Sequence, residues 1–173
     1  SINPDTGMTT YFQPMATGYF KVYGNADVTK NQFWCCTGSG LENFTKLGDS
    51  IYYKKDQTLY VTQYLSSVVE WTEKNIKLTQ TTSIPDTDTA GFQVNLLNGV
   101  QSAEMKLQLR VPDWIAGDPV VTVNGAVQDL AASGGYICIE RTWADGDTVS
   151  IQLPMEVRAY GLPDDGSVYG FKY

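Results

Sequence analysis

Apolar and polar residues alternate with a period of two through most of the chain after residue 56. The clearest run is residues 105–111, in which Met105, Leu107 and Leu109 are separated by charged or amide side chains. Such alternation is typical of strands that bury one face. Similar segments cover residues 59–65, 76–81, 92–96, 121–123, 136–140, 148–153 and 157–160. About eight short strands at this spacing predict a mainly β fold, an antiparallel β-sandwich of jelly-roll-like type.

Turn residues separate these segments. Asn124-Gly125 is the strongest hairpin signal in the sequence, because both residues tolerate the positive φ of a type I′ turn. Asp145-Gly146-Asp147 lacks the full spacing of a calcium loop and is predicted to be a solvated turn.

A helical period precedes the strands. Apolar residues recur at positions 41, 44, 47, 51 and 52, which predicts a helix from roughly Gly40 to Lys54. Ser39 and Glu42 have the spacing of a capping box at its start. Residues 1–33 carry no such pattern and are predicted to be irregular.

The charge of the chain bounds its partners. The formal net charge of −7 argues against binding to nucleic acid, because no basic stripe is available to neutralise phosphates. The same charge argues against an anionic membrane surface, and no apolar run is long enough to span a bilayer.

The 173 residues contain no histidine and three cysteines. Without histidine, no Ser-His-Asp or Cys-His pair can form within the chain. An odd, low cysteine count is not a disulfide framework, and unpaired thiols favour a reducing compartment such as the cytoplasm over secretion. Cys138 falls in an apolar strand and is predicted to be inert core.

Cys35 and Cys36 are adjacent and lie just before the predicted helix. The positive end of a helix favours a thiolate, which is both a nucleophile and a soft metal ligand. Adjacent cysteines also occur simply as core packing, and a redox role is a third reading. Spacing alone leaves these three alternatives open.

Several runs together resemble the beta-L-arabinofuranosidase-like glycoside hydrolases, a family long catalogued as a domain of unknown function. The most specific is the Trp-Cys-Cys-Thr-Gly-x-Gly-x-Glu-Asn sequence at residues 34–43. The other runs are residues 9–15, 18–23, 111–114, 135–147 and 169–173.

The resemblance implies an (α/α)6 barrel joined to β-sandwich domains. Residues 1–55 would be the C-terminal end of the barrel, carrying the cysteine pair and one helix, and residues 56–173 would be the following sandwich. The chain would then be a C-terminal fragment of a longer enzyme.

The resemblance also implies roles for three residues. Cys35 matches the nucleophile of a retaining glycoside hydrolase and a zinc ligand, Cys36 matches a second zinc ligand, and Tyr11 matches a tyrosine that contacts the sugar. The family's other two zinc ligands and its acid/base glutamate lie upstream, and no Glu-x-Cys motif precedes Cys35 here. The isolated chain is therefore expected to bind no zinc and to be inactive, with the glycan substrate reached only through the missing barrel.

Two other functions remain open at this stage. A non-catalytic carbohydrate-binding or structural sandwich could use Trp71, Trp114 and Trp143 as a stacking face, because aromatic rings stack on sugars. A small redox or metal-storage module built on the cysteine pair is the third possibility.

Overall fold

The structure is a computed structural model that describes Asp5, Gly18, Tyr19 and residues 35–173. Within the helical segment, the side chains of residues 35–37, 40, 41, 44 and 47 lie outside the description. The irregular segment predicted for residues 1–33 also lies outside it, apart from the three positions named. By its contacts the chain divides into two compact units, one of residues 1–48 and 161–170 and the other of residues 49–160 and 171–173.

The described helix, α1, spans Cys35–Lys46 and is followed by a short 3-10 helix, Leu47–Ser50. The helix predicted from Gly40 to Lys54 therefore begins and ends too late. Its predicted last turn is instead a strand, because Tyr52 pairs with Val61 and Lys55 with Thr58 in an antiparallel hairpin. The capping box is also wrong, since Ser39 lies inside the helix and not before it.

Twelve strands follow in the described chain. Their bounds are β1 Tyr52–Lys55, β2 Thr58–Val61, β3 Ser67–Trp71, β4 Ile76–Thr82, β5 Thr89–Leu96, β6 Ala103–Arg110, β7 Val120–Val123, β8 Ala126–Gln128, β9 Tyr136–Trp143, β10 Thr148–Gln152, β11 Arg158–Gly161 and β12 Tyr169–Lys172. A second 3-10 helix, Thr72–Lys74, connects β3 and β4.

The second unit is a β-sandwich. One sheet has the strand order β1-β2-β6-β9 and the other β3-β4-β5-β10-β7-β8, while β11 and β12 pair separately. The mainly β, antiparallel sandwich predicted from the alternation is thus confirmed, with β2 and β6 as a parallel pair within it. Met105, Leu107 and Leu109 of β6 point into the shared core as predicted.

Tyr64 ties the two sheets together. Its ring contacts Phe92 of β5, with centroids 6.4 Å apart, and its hydroxyl donates to the backbone carbonyl of Arg110 at the end of β6. Burial raises the pKa of this phenol above its ordinary value, so the hydroxyl stays a donor.

The turn after β9 is held by a buried carboxylate. Asp147 is 8% exposed, accepts hydrogen bonds from the Ala144 amide (2.9 Å) and the Asn124 side chain (2.8 Å), and lies 3.4 Å from Arg141. Asn124 and Gly125 have φ of 51° and 79°, the type I′ hairpin predicted from the sequence. The prediction of a solvated turn is wrong for Asp147, because its carboxylate joins this hairpin to the β9–β10 turn.

Stability should depend on the charge of Asp147. Burial raises its pKa, but the Ala144 amide, Asn124 and Arg141 outweigh that effect and the net pKa lies below the ordinary value. A lowered folded-state pKa stabilises the fold above the unfolded value near 3.9, and this stabilisation is lost as the pH falls through the folded pKa.

We expect Asp147→Asn to lower the free energy of unfolding at pH 7 by about 1–3 kcal/mol. Arg141 would lose its charged partner, and the new side-chain NH₂ group would face the N–H donors that now bind the carboxylate. Urea denaturation should show this difference shrinking between about pH 5 and pH 3. Asp113→Asn, at an exposed position, is the control and should change stability by less than about 0.5 kcal/mol. A deficit for Asp147→Asn that is independent of pH would contradict the assignment.

Candidate functional site

The two adjacent cysteines open the described helix. Cys35 and Cys36 are the first two residues of α1, whereas the sequence predicted them just before it. The first amides of a helix have no intrahelical partner and lie at the positive end of its dipole. The first turn of the described helix contains no acidic residue.

Helix geometry separates Glu42 from this pair. Glu42 is exposed and follows Cys35 by seven residues, which corresponds to about 10 Å along the axis at 1.5 Å per residue. Glu42 therefore lies about two helical turns from Cys35 and is not among its i+3 or i+4 neighbours.

Cys138 lies in β9, in the second unit. It is a free, half-exposed cysteine on the outer side of its sheet, opposite Gln108, while Ile137 and Ile139 on either side are buried. The prediction that Cys138 lies in the core is wrong, because its side chain is on the outer side of the sheet. Burial and the nearby Glu140 raise the pKa of its thiol, so it is a poor source of thiolate.

The described residues offer zinc only part of a site. A structural or catalytic zinc is held by three or four protein ligands, and the cysteine pair supplies two sulfurs. Among the side chains that the structure describes, which do not include those of Cys35 and Cys36, no group of three or more Cys, Asp or Glu residues is placed to hold a metal. The donors fit the chemistry of zinc but not its full coordination.

Tyr11, the third predicted site residue, lies outside the described residues. The tryptophan stacking face is wrong for two of its three members. Trp143 is fully buried and Trp71 is 6% exposed, and only Trp114 is open, at 45%. No helix in the described part of the chain is long and apolar enough to cross a membrane.

The arrangement of a helix with two thiols in its first turn, followed by a β-sandwich, corresponds to two family models. "Beta-L-arabinofuranosidase, GH127 catalytic domain" matches residues 1–49, and "Beta-L-arabinofuranosidase, GH127 middle domain" matches residues 58–155. These two models define a family of glycoside hydrolases with more than one domain. The chain belongs to the GH127 beta-L-arabinofuranosidase family.

Solved structures agree with this assignment. A GH127 beta-L-arabinofuranosidase from Geobacillus stearothermophilus T6 is 26% identical with a TM-score of 0.68, and the match covers 80% of this chain and 22% of that one. A GH127 beta-arabinofuranosidase shares the fold at 24% identity and a TM-score of 0.63, over 72% of this chain and 22% of that one. A third structure, described as a glycoside hydrolase, shares the fold at 21% identity and a TM-score of 0.66. That match covers 86% of this chain and 25% of the other.

The chain spans about a quarter or less of the length of these proteins. No curated protein matches it.

Proposed function

We propose that this chain is part of a longer retaining glycoside hydrolase that cleaves beta-L-arabinofuranosides, with Cys35 as its nucleophile. The observation that carries the proposal is the position of Cys35. It opens α1, within the segment that matches a beta-L-arabinofuranosidase catalytic domain. Residues 1–55 would be the end of an (α/α)6 barrel and residues 56–173 a sandwich domain.

A retaining mechanism needs a nucleophile on one face of the sugar and a proton donor on the other. The Cys35 thiolate would attack the anomeric carbon, forming a carbon–sulfur bond as the bond to the leaving oxygen breaks. A carboxylic acid outside these 173 residues would protonate that oxygen. Water, deprotonated by the same carboxylate, would then release the sugar and return the thiolate.

The N-terminal position in α1 is what this chain contributes to activating the thiol. A cysteine has an ordinary pKa near 8.5, and a helix N-terminus lowers it toward neutrality. Zinc, when bound, would hold the sulfurs of Cys35 and Cys36 deprotonated. Its other ligands would come from outside the chain, so the 173 residues alone are expected to bind no zinc and to be inactive. Tyr11 is proposed to contact the sugar.

The test is hydrolysis of an aryl beta-L-arabinofuranoside by the full-length enzyme. We expect release of the aryl group, with the first-formed sugar keeping the β configuration in an NMR time course, because two displacements restore the starting stereochemistry. Inversion of the anomeric centre, or hydrolysis of alpha-linked substrates alone, would contradict the proposal. The 173-residue chain in the same assay should release no aryl group.

A further inference from the structure

The outer side of the four-stranded sheet carries tyrosines at adjacent positions. Tyr53 of β1 is the cross-strand partner of Tyr60 of β2, and Tyr60 in turn lies beside Gln108 of β6. Tyr136 of β9 is the partner of Arg110. We call these five residues the tyrosine face; the buried residues of these strands, such as Leu59 and Ile137, point the other way.

The rings of the tyrosine face are partly accessible, since Tyr60 and Tyr136 are half-buried and Tyr53 is exposed. Tyr60 and Tyr136 meet edge to face above β6, with centroids 5.6 Å apart and planes at 86°. An edge-to-face pair uses one ring face, so the other ring faces remain free of that contact. Tyr53 beside them is 53% exposed. Such rings present a negatively polarised face to C–H groups, which line one side of a sugar ring.

The polar groups around the rings suit a neutral ligand rich in hydroxyls. Lys106 and Glu140 neutralise each other at 2.9 Å. By strand register, the charged residues on this side of the sheet are Lys55, Glu104, Lys106, Arg110 and Glu140. The positive and negative charges of these residues nearly cancel, although the formal net charge of the whole chain is −7. A polyanion therefore gains little here, and a polycation finds no acidic patch.

Tyrosine and arginine are also enriched at protein interfaces, so a protein is the competing class of ligand for this face. The Lys106–Glu140 ion pair that adjoins the tyrosine face favours the glycan, because lysine and glutamate are depleted at such interfaces. More apolar exposure occurs elsewhere in the second unit, for example at Val157 (66%) and Phe171 (71%).

We propose that the tyrosine face is a binding surface for a neutral glycan chain. It rests on the proposed function in that the glycan is a polymer containing L-arabinofuranose, held by the sandwich while the catalytic domain acts on it. Tyr53 and the Tyr60–Tyr136 pair stack on sugar rings, and Gln108 and Arg110 hydrogen-bond to hydroxyls. The alternation in the sequence already indicates that these tyrosines lie on the outer side of the sheet, because Tyr60 and Tyr136 are each adjacent in sequence to buried aliphatic residues.

The test compares full-length enzymes in affinity gel electrophoresis with soluble arabinan as the probe. We expect arabinan to retard the wild type, and Tyr53→Ala and Tyr136→Ala each to weaken the apparent affinity about fivefold, as loss of one stacking contact predicts. Tyr160→Ala is the control. It removes a tyrosine on β11 whose exposed fraction, 48%, is similar to the 53% of Tyr53, and it should not change the retardation.

Kinetics separate this proposal from the proposed function. The tyrosine variants should raise KM for a polysaccharide that carries beta-linked L-arabinofuranose and leave kcat/KM for an aryl beta-L-arabinofuranoside unchanged. Retardation is read without turnover, so an inactive enzyme that is still retarded would overturn only the catalytic assignment. Equal retardation of all variants, retardation only by acidic polygalacturonate, or a loss of thermal stability without any change in retardation would overturn the glycan face.

Discussion

Replacement of Cys35 by serine in the full-length enzyme is expected to reduce kcat/KM for an aryl beta-L-arabinofuranoside by about 10³-fold or more. A serine hydroxyl ionises far above neutral pH, and the first turn of α1 offers no histidine or acidic residue to deprotonate it. Removing a nucleophile that acts as a unit with its acid/base partner costs about 10⁴–10⁶-fold in the best-studied hydrolases, although background reactions often conceal part of the loss.

The controls for this experiment are two other cysteine variants. Cys138→Ser makes the same atomic change at a half-exposed site in the sandwich and should leave turnover at the wild-type level. Cys36→Ser should lower the zinc content measured by elemental analysis, because one of the proposed ligands is lost. Full activity of Cys35→Ser would exclude it as the nucleophile, whatever the zinc content of the variants.

The sandwich could be predicted from sequence because its signals are local. In β6 the alternation of Met105, Leu107 and Leu109 with polar residues defines the buried face directly. Asn124 and Gly125 define the β7–β8 hairpin in the same way, since few residues accept positive φ at both central positions of a turn.

The end of α1 could not be predicted from its own residues. Apolar positions up to Tyr52 continue the helical period, but Tyr52 to Lys55 pair with β2, which comes later in the chain. Hydrogen bonds and side-chain contacts with a partner strand outweighed local preference at this boundary.

The burial of Trp143 could have been predicted from the alternation in β9. Trp143 shares its parity in β9 with the buried Ile137 and Ile139, so the alternation already placed it inside. Cys138 has the opposite parity, which places it on the outer side. The site residue Cys35 is different, because two adjacent cysteines carry no spacing information. It was singled out by resemblance to a family, and the structure adds its place in α1.

The second large effect is expected from Trp143. Its side chain is fully buried, its indole nitrogen donates to the Met105 carbonyl at 2.9 Å, and the Arg141 guanidinium lies 5.2 Å from the ring centre. Trp143→Ala should lower the free energy of unfolding by about 3–5 kcal/mol, because it leaves a cavity between the sheets and an unpaired carbonyl.

A second substitution separates the contribution of the buried ring of Trp143 from that of its indole hydrogen bond. Trp143→Phe keeps most of the ring and removes the indole donor, so we expect a smaller loss of about 1–3 kcal/mol. Trp114→Ala removes a side chain that is 45% exposed and should cost less than about 1 kcal/mol. Urea denaturation followed by far-UV circular dichroism measures all three. Equal losses for Trp143→Ala and Trp114→Ala would mean that Trp143 does not fill the core of the sandwich, and the stacking face of tryptophans would again be open.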